Sequence, residues 1–174
     1  TAREIWSDQR AVVTNGPPTP SAVAVPVEGG YKLSGRWFFS SGSSHASWIA
    51  ALAPVRPAGK QSTGGESLRV LLLPKSEVDF VPGTWEVSGL RGTSSFGFEI
   101  NDVFVPSDRT YEQNGEPIDD GPLYRIPRTL LFSSGFSTVA LGIAGASLKA
   151  SIDLSSARTQ ARVKGLMQEQ KTTQ

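Results

Sequence analysis

The sequence predicts a mainly β protein, an antiparallel barrel or sandwich followed by part of an α-helical bundle, the whole being a fragment of a larger α+β protein. Three observations point there. Between residues 22 and 105, short runs alternate apolar and polar residues, as half-buried strands do. Turn formers separate those runs, and 18 Gly with 12 Pro are more than a helical chain carries. After residue 122 the character changes: residues 128–156 hold no proline, and apolar side chains recur there among small ones. We therefore divide the chain into a β-domain, 1–121, and the first helix or helices of an incomplete bundle, 122–174.

Residues 1–14 read as a short helix end followed by a strand start at Ala11-Val12-Val13-Thr14. Residues 15–20, Asn-Gly-Pro-Pro-Thr-Pro, are expected to be irregular, because three prolines fix φ and remove donors. Residues 22–27 read as a short edge strand, since Pro26 interrupts its hydrogen bonding. Glu28-Gly29-Gly30 makes a tight turn. Tyr31, Leu33, Trp37 and Phe39 then share one strand face, with Lys32, Ser34 and Arg36 on the other. Residues 46–53 form the next strand, expected to pair with it as a hairpin through the Ser-Gly-Ser-Ser loop. Residues 54–66 are a polar loop, and residues 68–73 a continuous apolar strand buried on both faces. Residues 78–81 and 84–87 are two further short strands. Phe96, Phe98 and Ile100 alternate, Asn101-Asp102 makes a turn or bulge, and the last strand closes at Pro106. Pro127 starts the helix. That helix carries Leu131, Val139, Leu141, Ile143, Leu148 and Ile152 among many Gly and Ala, so its intrinsic propensity is poor and packing neighbours must stabilise it.

Composition excludes several function classes. Lys and Arg number 17 against 16 Asp and Glu, which leaves no electrostatic case for nucleic acid or a membrane surface. There is no cysteine and one histidine, so neither a disulfide framework nor a metal site is expected. No uninterrupted apolar run approaches the roughly 20 residues that span a bilayer. The first ten residues do not read as a signal peptide, and the expected location is cytoplasmic. Both ends look cut, and the polar tail 168–174 carries no packing pattern.

The most informative stretch runs from Gly30-Tyr31-Lys32-Leu33-Ser34-Gly35-Arg36-Trp37-Phe38-Phe39-Ser40-Ser41-Gly42 through His45 to Trp48. Aromatic bulk beside short hydroxyl donors suits a flat cofactor with polar edges. With Gly89-Leu90-Arg91-Gly92-Thr93-Ser94 and Asn101-Asp102-Val103-Phe104-Val105-Pro106, the pattern resembles the acyl-CoA dehydrogenase superfamily over nearly the whole chain. That resemblance implies the middle β-domain and the first helix of the C-terminal bundle. Gly29 to Trp37, followed by Phe39, Ser41, Gly42 and His45, looks most like the flavin-dependent hydroxylase branch, which includes 4-hydroxyphenylacetate 3-hydroxylase, secosteroid hydroxylase and dibenzothiophene monooxygenase. Trp6 and the segment Pro122-Leu123-Tyr124-Arg125-Ile126-Pro127 resemble it too.

The resemblance carries over few residues. Dehydrogenases of this fold close the matching strand with an aromatic–Ile–Thr step, its hydroxyl at the flavin N5 edge and its aromatic beside the ring. Counting from Gly35 places Phe39 at the aromatic, Ser40 between, and Ser41 at the Thr. A hydroxyl there can donate or accept without carrying charge; the alternative is that Ser41 only closes a turn. The dehydrogenases also set a Thr-Glu-Pro loop against the flavin pyrimidine. Here the matching stretch is Thr14-Asn15-Gly16-Pro17-Pro18, which lacks the Thr-Glu pair and counts against an ordinary dehydrogenase. Backbone amides at Asn15 and Gly16 remain candidates for binding the flavin carbonyls; a plain proline-rich connection is the other reading. His45 is a weak candidate for substrate contact, and a loop role is favoured. Arg91 is read as structural, Gly89 and Gly92 as turn residues with positive φ, and Trp37, Trp48 and Trp85 as core aromatics. Asp119-Asp120 is a solvated turn.

The leading functional reading is the oxygenase component of a two-component monooxygenase using reduced FMN or FAD and oxygen, with a flavin reductase as partner and a homotetramer implied by the resemblance. The alternatives are an acyl-CoA dehydrogenase, whose glutamate base would lie outside this chain, and a non-catalytic β-domain module. No catalytic base is identified within the chain, and the fragment alone is expected to be inactive, since relatives complete each flavin site with neighbouring helices and a second subunit.

Overall fold

The protein is described by a computed structural model covering residues 2–60 and 64–158, with 165, 166 and 169. The polar tail singled out above lies almost entirely outside the described residues. The chain divides into two compact units, Thr1–Glu116 and Pro117–Gln174.

The first unit is β. A short helix, α1 (Ala2–Trp6), precedes eight strands: β1 (Val13–Gly16), β2 (Val23–Val27), β3 (Gly30–Ser40), β4 (Trp48–Pro54), β5 (Leu68–Pro74), β6 (Asp79–Val81), β7 (Phe96–Pro106) and β8 (Thr110–Glu112). They make two four-stranded sheets, ordered β1-β4-β5-β8 and β2-β3-β7-β6. The first is mixed, because β1 runs parallel to β4, and the second is wholly antiparallel.

The sheets face one another across a single main core. Ala24 of β2, Leu33 and Trp37 of β3, and Phe98, Ile100 and Val105 of β7 meet Ile49, Ala51 and Ala53 of β4 and Leu71 and Leu73 of β5. Trp37 is fully buried, stacks on Phe98 at 5.1 Å between centroids, and donates its indole N–H to Leu52 C=O of the opposite sheet at 2.8 Å. That bond explains how so large a polar-tipped side chain sits at the centre. The other faces of β4 and β5 are also apolar: Ala50, Leu52 and Val70 cluster there with Val13 and Leu72. Burial on both faces is why residues 68–73 carry no polar alternation.

Several expectations need correction. β3 and β4 do not form a hairpin; the Ser-Gly-Ser-Ser connection carries the chain from one sheet to the other. Residues 84–87 are turn and coil rather than strand. β1 continues through Asn15 and Gly16 and stops at Pro17, so those two residues are regular backbone. Gly89 and Gly92 do not take positive φ; Leu90 (φ 57°) and Ser94 (φ 47°) do. Trp48 and Trp85 are only part-buried, and Arg109 lies over Trp48 at 5.2 Å while its guanidinium pairs with Glu4 of α1. Of the two readings of Asn101-Asp102 the bulge holds, inside one continuous strand, with Asp102 at φ 53°.

The second unit contains α2 (Arg128–Ala157), which starts directly after Pro127. It has no buried residue. By length and composition alone α2 is long and apolar enough to cross a bilayer, which counting uninterrupted apolar residues did not reveal: its apolarity is spread among Gly, Ala and Ser.

Candidate functional site

The predicted residues converge at one rim of the sandwich, where β3 ends, β1 offers a sheet edge and the loop after residue 89 returns. A register shift between Trp37 and Ser40 reshapes this rim. The shift puts Phe39 in the left-handed region at φ 59°, so period-two alternation fails there. Phe39 does not join Trp37 in the core; it is 67% exposed, and Ser40 turns inward to full burial instead. A phenylalanine held in strained backbone and pointed outward marks a functional surface better than a packing one. Its ring stands edge-on to Trp85, centroids 6.2 Å apart, and Trp85 donates its indole N–H to the carbonyl of Leu90, itself 77% exposed. Phe39, Trp85 and Leu90 thus form an apolar bench beside the serines.

Hydroxyl groups fix the serines. Ser40 Oγ meets Thr14 Oγ1 at 3.1 Å, and Thr14 also donates to Ser41 C=O. Ser41 is exposed, and its hydroxyl lies 2.9 Å from that of buried Ser95, which lies 2.8 Å from Thr93 Oγ1. Gly42, at φ 87°, donates its N–H to Thr93 C=O at 2.7 Å, and Ser43 donates to Ser94 C=O. The left-handed turn at Gly42 is what lets the chain leave β3 and still bond the facing loop.

Asn15 and Gly16 differ in kind. Trp48 N–H bonds Val12 C=O, so alternation along the strand turns Thr14 and Gly16 toward β4 and leaves the peptide groups of Asn15 on the open side. Gly16 is a packing residue: a Cβ there would lie 2.7 Å from the Phe98 ring and 2.8 Å from Trp37 Cβ. His45 is exposed, and its backbone N–H bonds Gly42 C=O at 2.9 Å, as a loop residue's would. Arg91 donates Nε–H to Val87 C=O at 2.8 Å and so shapes its own loop. On the far side of Ser43, a shallow cavity of about 230 Å³ is lined by Ser43, Ser44, Lys75, Phe80 and Phe96. Lys75 spends donors on the Ser43 and Ser44 carbonyls, at 2.9 and 3.2 Å, and holds this loop from below. Among the described residues no cluster of His, Asp or Glu could hold a metal.

Sequence reading located Phe39 and Ser41 but missed Thr14, Thr93 and Ser95 as their anchors. Both the run Thr93-Ser94-Ser95 and the serines fifty residues upstream stand in the sequence; their pairing does not.

Known proteins resemble this chain in sequence and in fold. No family model matches the chain. A pigment production hydroxylase from Rhodococcus erythropolis is 32% identical over 152 residues, covering 81% of this chain and 38% of that protein. The oxygenase subunit HsaA of a flavin-dependent monooxygenase from Mycobacterium tuberculosis is 29% identical over 170 residues, covering 93% of this chain and 42% of its own. The crystal structure of HsaA superposes with a TM-score of 0.62 at 31% identity over 73% of this chain and 34% of that one. The chain is similar, over part of their length, to flavin-dependent monooxygenase oxygenase components of the acyl-CoA dehydrogenase-like superfamily. It spans about two fifths of the length of those curated relatives. XiaF from Streptomyces sp., solved with FADH2 and glycerol, shares the fold over 98% of this chain, with a TM-score of 0.74 and 24% identity. Two sheets followed by one long helix are therefore part of the fold of these proteins.

Proposed function

We propose that this segment forms one wall of the flavin site of a two-component monooxygenase, in an oxygenase that takes reduced FMN or FAD from a separate reductase and works as a homo-oligomer. The observation that carries the reading is the rim itself: exposed Phe39 in strained backbone, two residues from an exposed hydroxyl, with Trp85 and Leu90 continuing its apolar surface. An isoalloxazine is flat, apolar on its faces and polar along its edges, and those features fit this bench. When bound, reduced flavin supplies the electrons that activate oxygen for hydroxylation.

In this reading Phe39 would lie against the ring, Ser41 would meet its N5 edge, and the open-side amide of Asn15 would be free to bond a ring carbonyl. Ser40 acts through its backbone, since its hydroxyl is buried against Thr14. Phe39 and Leu90 would help to shield the reacting edge from water once the ring covers them.

The test is anaerobic titration of the native polypeptide carrying this segment with reduced FMN and FAD, followed by oxygen. Binding of reduced flavin and oxygen-dependent hydroxylation of an aromatic substrate are expected. Bleaching of tightly bound oxidised FAD by an acyl-CoA, without oxygen, would overturn the proposal in favour of a dehydrogenase.

A further inference from the structure

The hydroxyl chain behind Ser41 has a direction, and its far end sets it. Thr93 Oγ1 lies 2.9 Å from Leu90 C=O, an oxygen that has no proton, so Thr93 donates there. A hydroxyl carries one proton. Ser95, 2.8 Å from Thr93 Oγ1, must therefore donate to Thr93. Its own proton spent, Ser95 can only accept from Ser41 at 2.9 Å. Ser41 is left with lone pairs alone toward the rim. Leu90 C=O is held in place by two further donors, Thr93 N–H at 3.1 Å and Trp85 Nε1 at 3.2 Å, and Ser95 is only 3% exposed. The far end of the chain is therefore fixed, and it orders the hydroxyls back to Ser41.

We propose that Ser95 and Thr93 are positioning residues that hold Ser41 as an obligate hydrogen-bond acceptor, so that the rim selects a ring nitrogen bearing a hydrogen. The inference rests on the flavin reading above. The two redox forms differ at the atom concerned: N5 of the oxidised ring is an acceptor, and N5 of the reduced ring carries N–H. An acceptor facing N–H makes a bond, whereas two facing acceptors leave both groups unsatisfied. A preference for reduced flavin of about tenfold or more follows, the equivalent of one hydrogen bond made against one denied. An oxygenase supplied with reduced flavin by diffusion gains from such a bias, because oxidised flavin would otherwise compete for the site.

Anaerobic titrations with reduced and oxidised FMN and FAD test this in the native polypeptide and in Ser95→Ala, Thr93→Val and Thr93→Ser. Ser95→Ala frees the Ser41 proton, so the preference should fall about tenfold, mainly through tighter binding of the oxidised form. Thr93→Val should do the same, because Ser95 then turns its proton to Ser41. Thr93→Ser keeps the chain and should keep the preference. A merely structural role for Ser95 would weaken both redox forms in parallel, and that result overturns the proposal while leaving the flavin reading intact. Failure of the native polypeptide to bind either form overturns the flavin reading and this inference with it.

Discussion

Phe39 shows how one residue can be costly to folding and useful to the site. Its backbone at φ 59° is unfavourable for any residue with a Cβ, and its ring is mostly exposed. Phe39→Gly should therefore leave the protein as stable or stabilise it by up to about 1 kcal/mol, while weakening flavin binding. Urea unfolding midpoints set beside flavin titrations check both halves, and a clear loss of stability would refute the strain argument. Thr14 has the opposite character. It is 4% exposed and satisfies both the Ser40 hydroxyl and the Ser41 carbonyl. Thr14→Val keeps the shape but strands those groups, at a cost of about 1–3 kcal/mol in unfolding free energy. Gly16→Ala should also destabilise by about 1–3 kcal/mol, because the new methyl meets the Phe98 ring and Trp37 Cβ in a close-packed core. At this scale the sequence named Phe39 and Ser41 through a resemblance, but not their surroundings. A left-handed φ at a phenylalanine leaves no trace in composition, and the Thr14, Ser40 and Ser95 contacts join segments far apart in the chain.

Elements were more legible than their partners. Pro26 marked β2 as an edge strand, and β2 does lie at the edge of its sheet. Pro127 marked the start of α2, which begins at the next residue. The hairpin expected between β3 and β4 fails for a local reason: a small-residue connection permits a tight return and a crossing equally, and the choice is made by the core, where Ile49, Ala51 and Ala53 oppose Leu33 and Trp37 rather than pair beside them. The alternation in β3 fails where the register shifts, since one unpaired residue exchanges the faces of all that follow. α2 poses a different problem. At about 3.6 residues per turn, Leu130, Leu141, Leu148 and Ile152 fall on one side, and Phe132, Phe136, Val139, Ile143 and Leu154 on the other. All nine are exposed. In water a helix with two apolar faces needs cover on both. The 174-residue chain should therefore self-associate in a concentration-dependent way, and residues 1–127 alone should not. Light scattering coupled to size-exclusion chromatography decides it; equal masses for the two would refute the assignment of association to α2.

For the whole molecule, the decisive feature is that the β unit carries its own core while the site it offers is a surface. Both sheets contribute to one cluster, and the Trp37 indole is bonded across it to the Leu52 carbonyl. The sheets are also tied at two corners: Thr14 of β1 reaches the end of β3, and Arg56 N–H bonds Ala24 C=O beside the Ala24–Val55 bridge. Two sheets joined through one core and two corners cannot melt separately without exposing Trp37, Phe98 and Leu71 together. Residues 1–116 should therefore unfold in urea as one transition, with tryptophan fluorescence and far-UV circular dichroism giving coincident midpoints. Trp37→Ala removes the centre of that shared core and should cost about 3–5 kcal/mol, shifting both probes equally. If fluorescence moved ahead of circular dichroism, the sheets would be separable, and the rim, which takes Thr14 from one sheet and Phe39 to Ser41 from the other, could not be the rigid support that a cofactor edge requires.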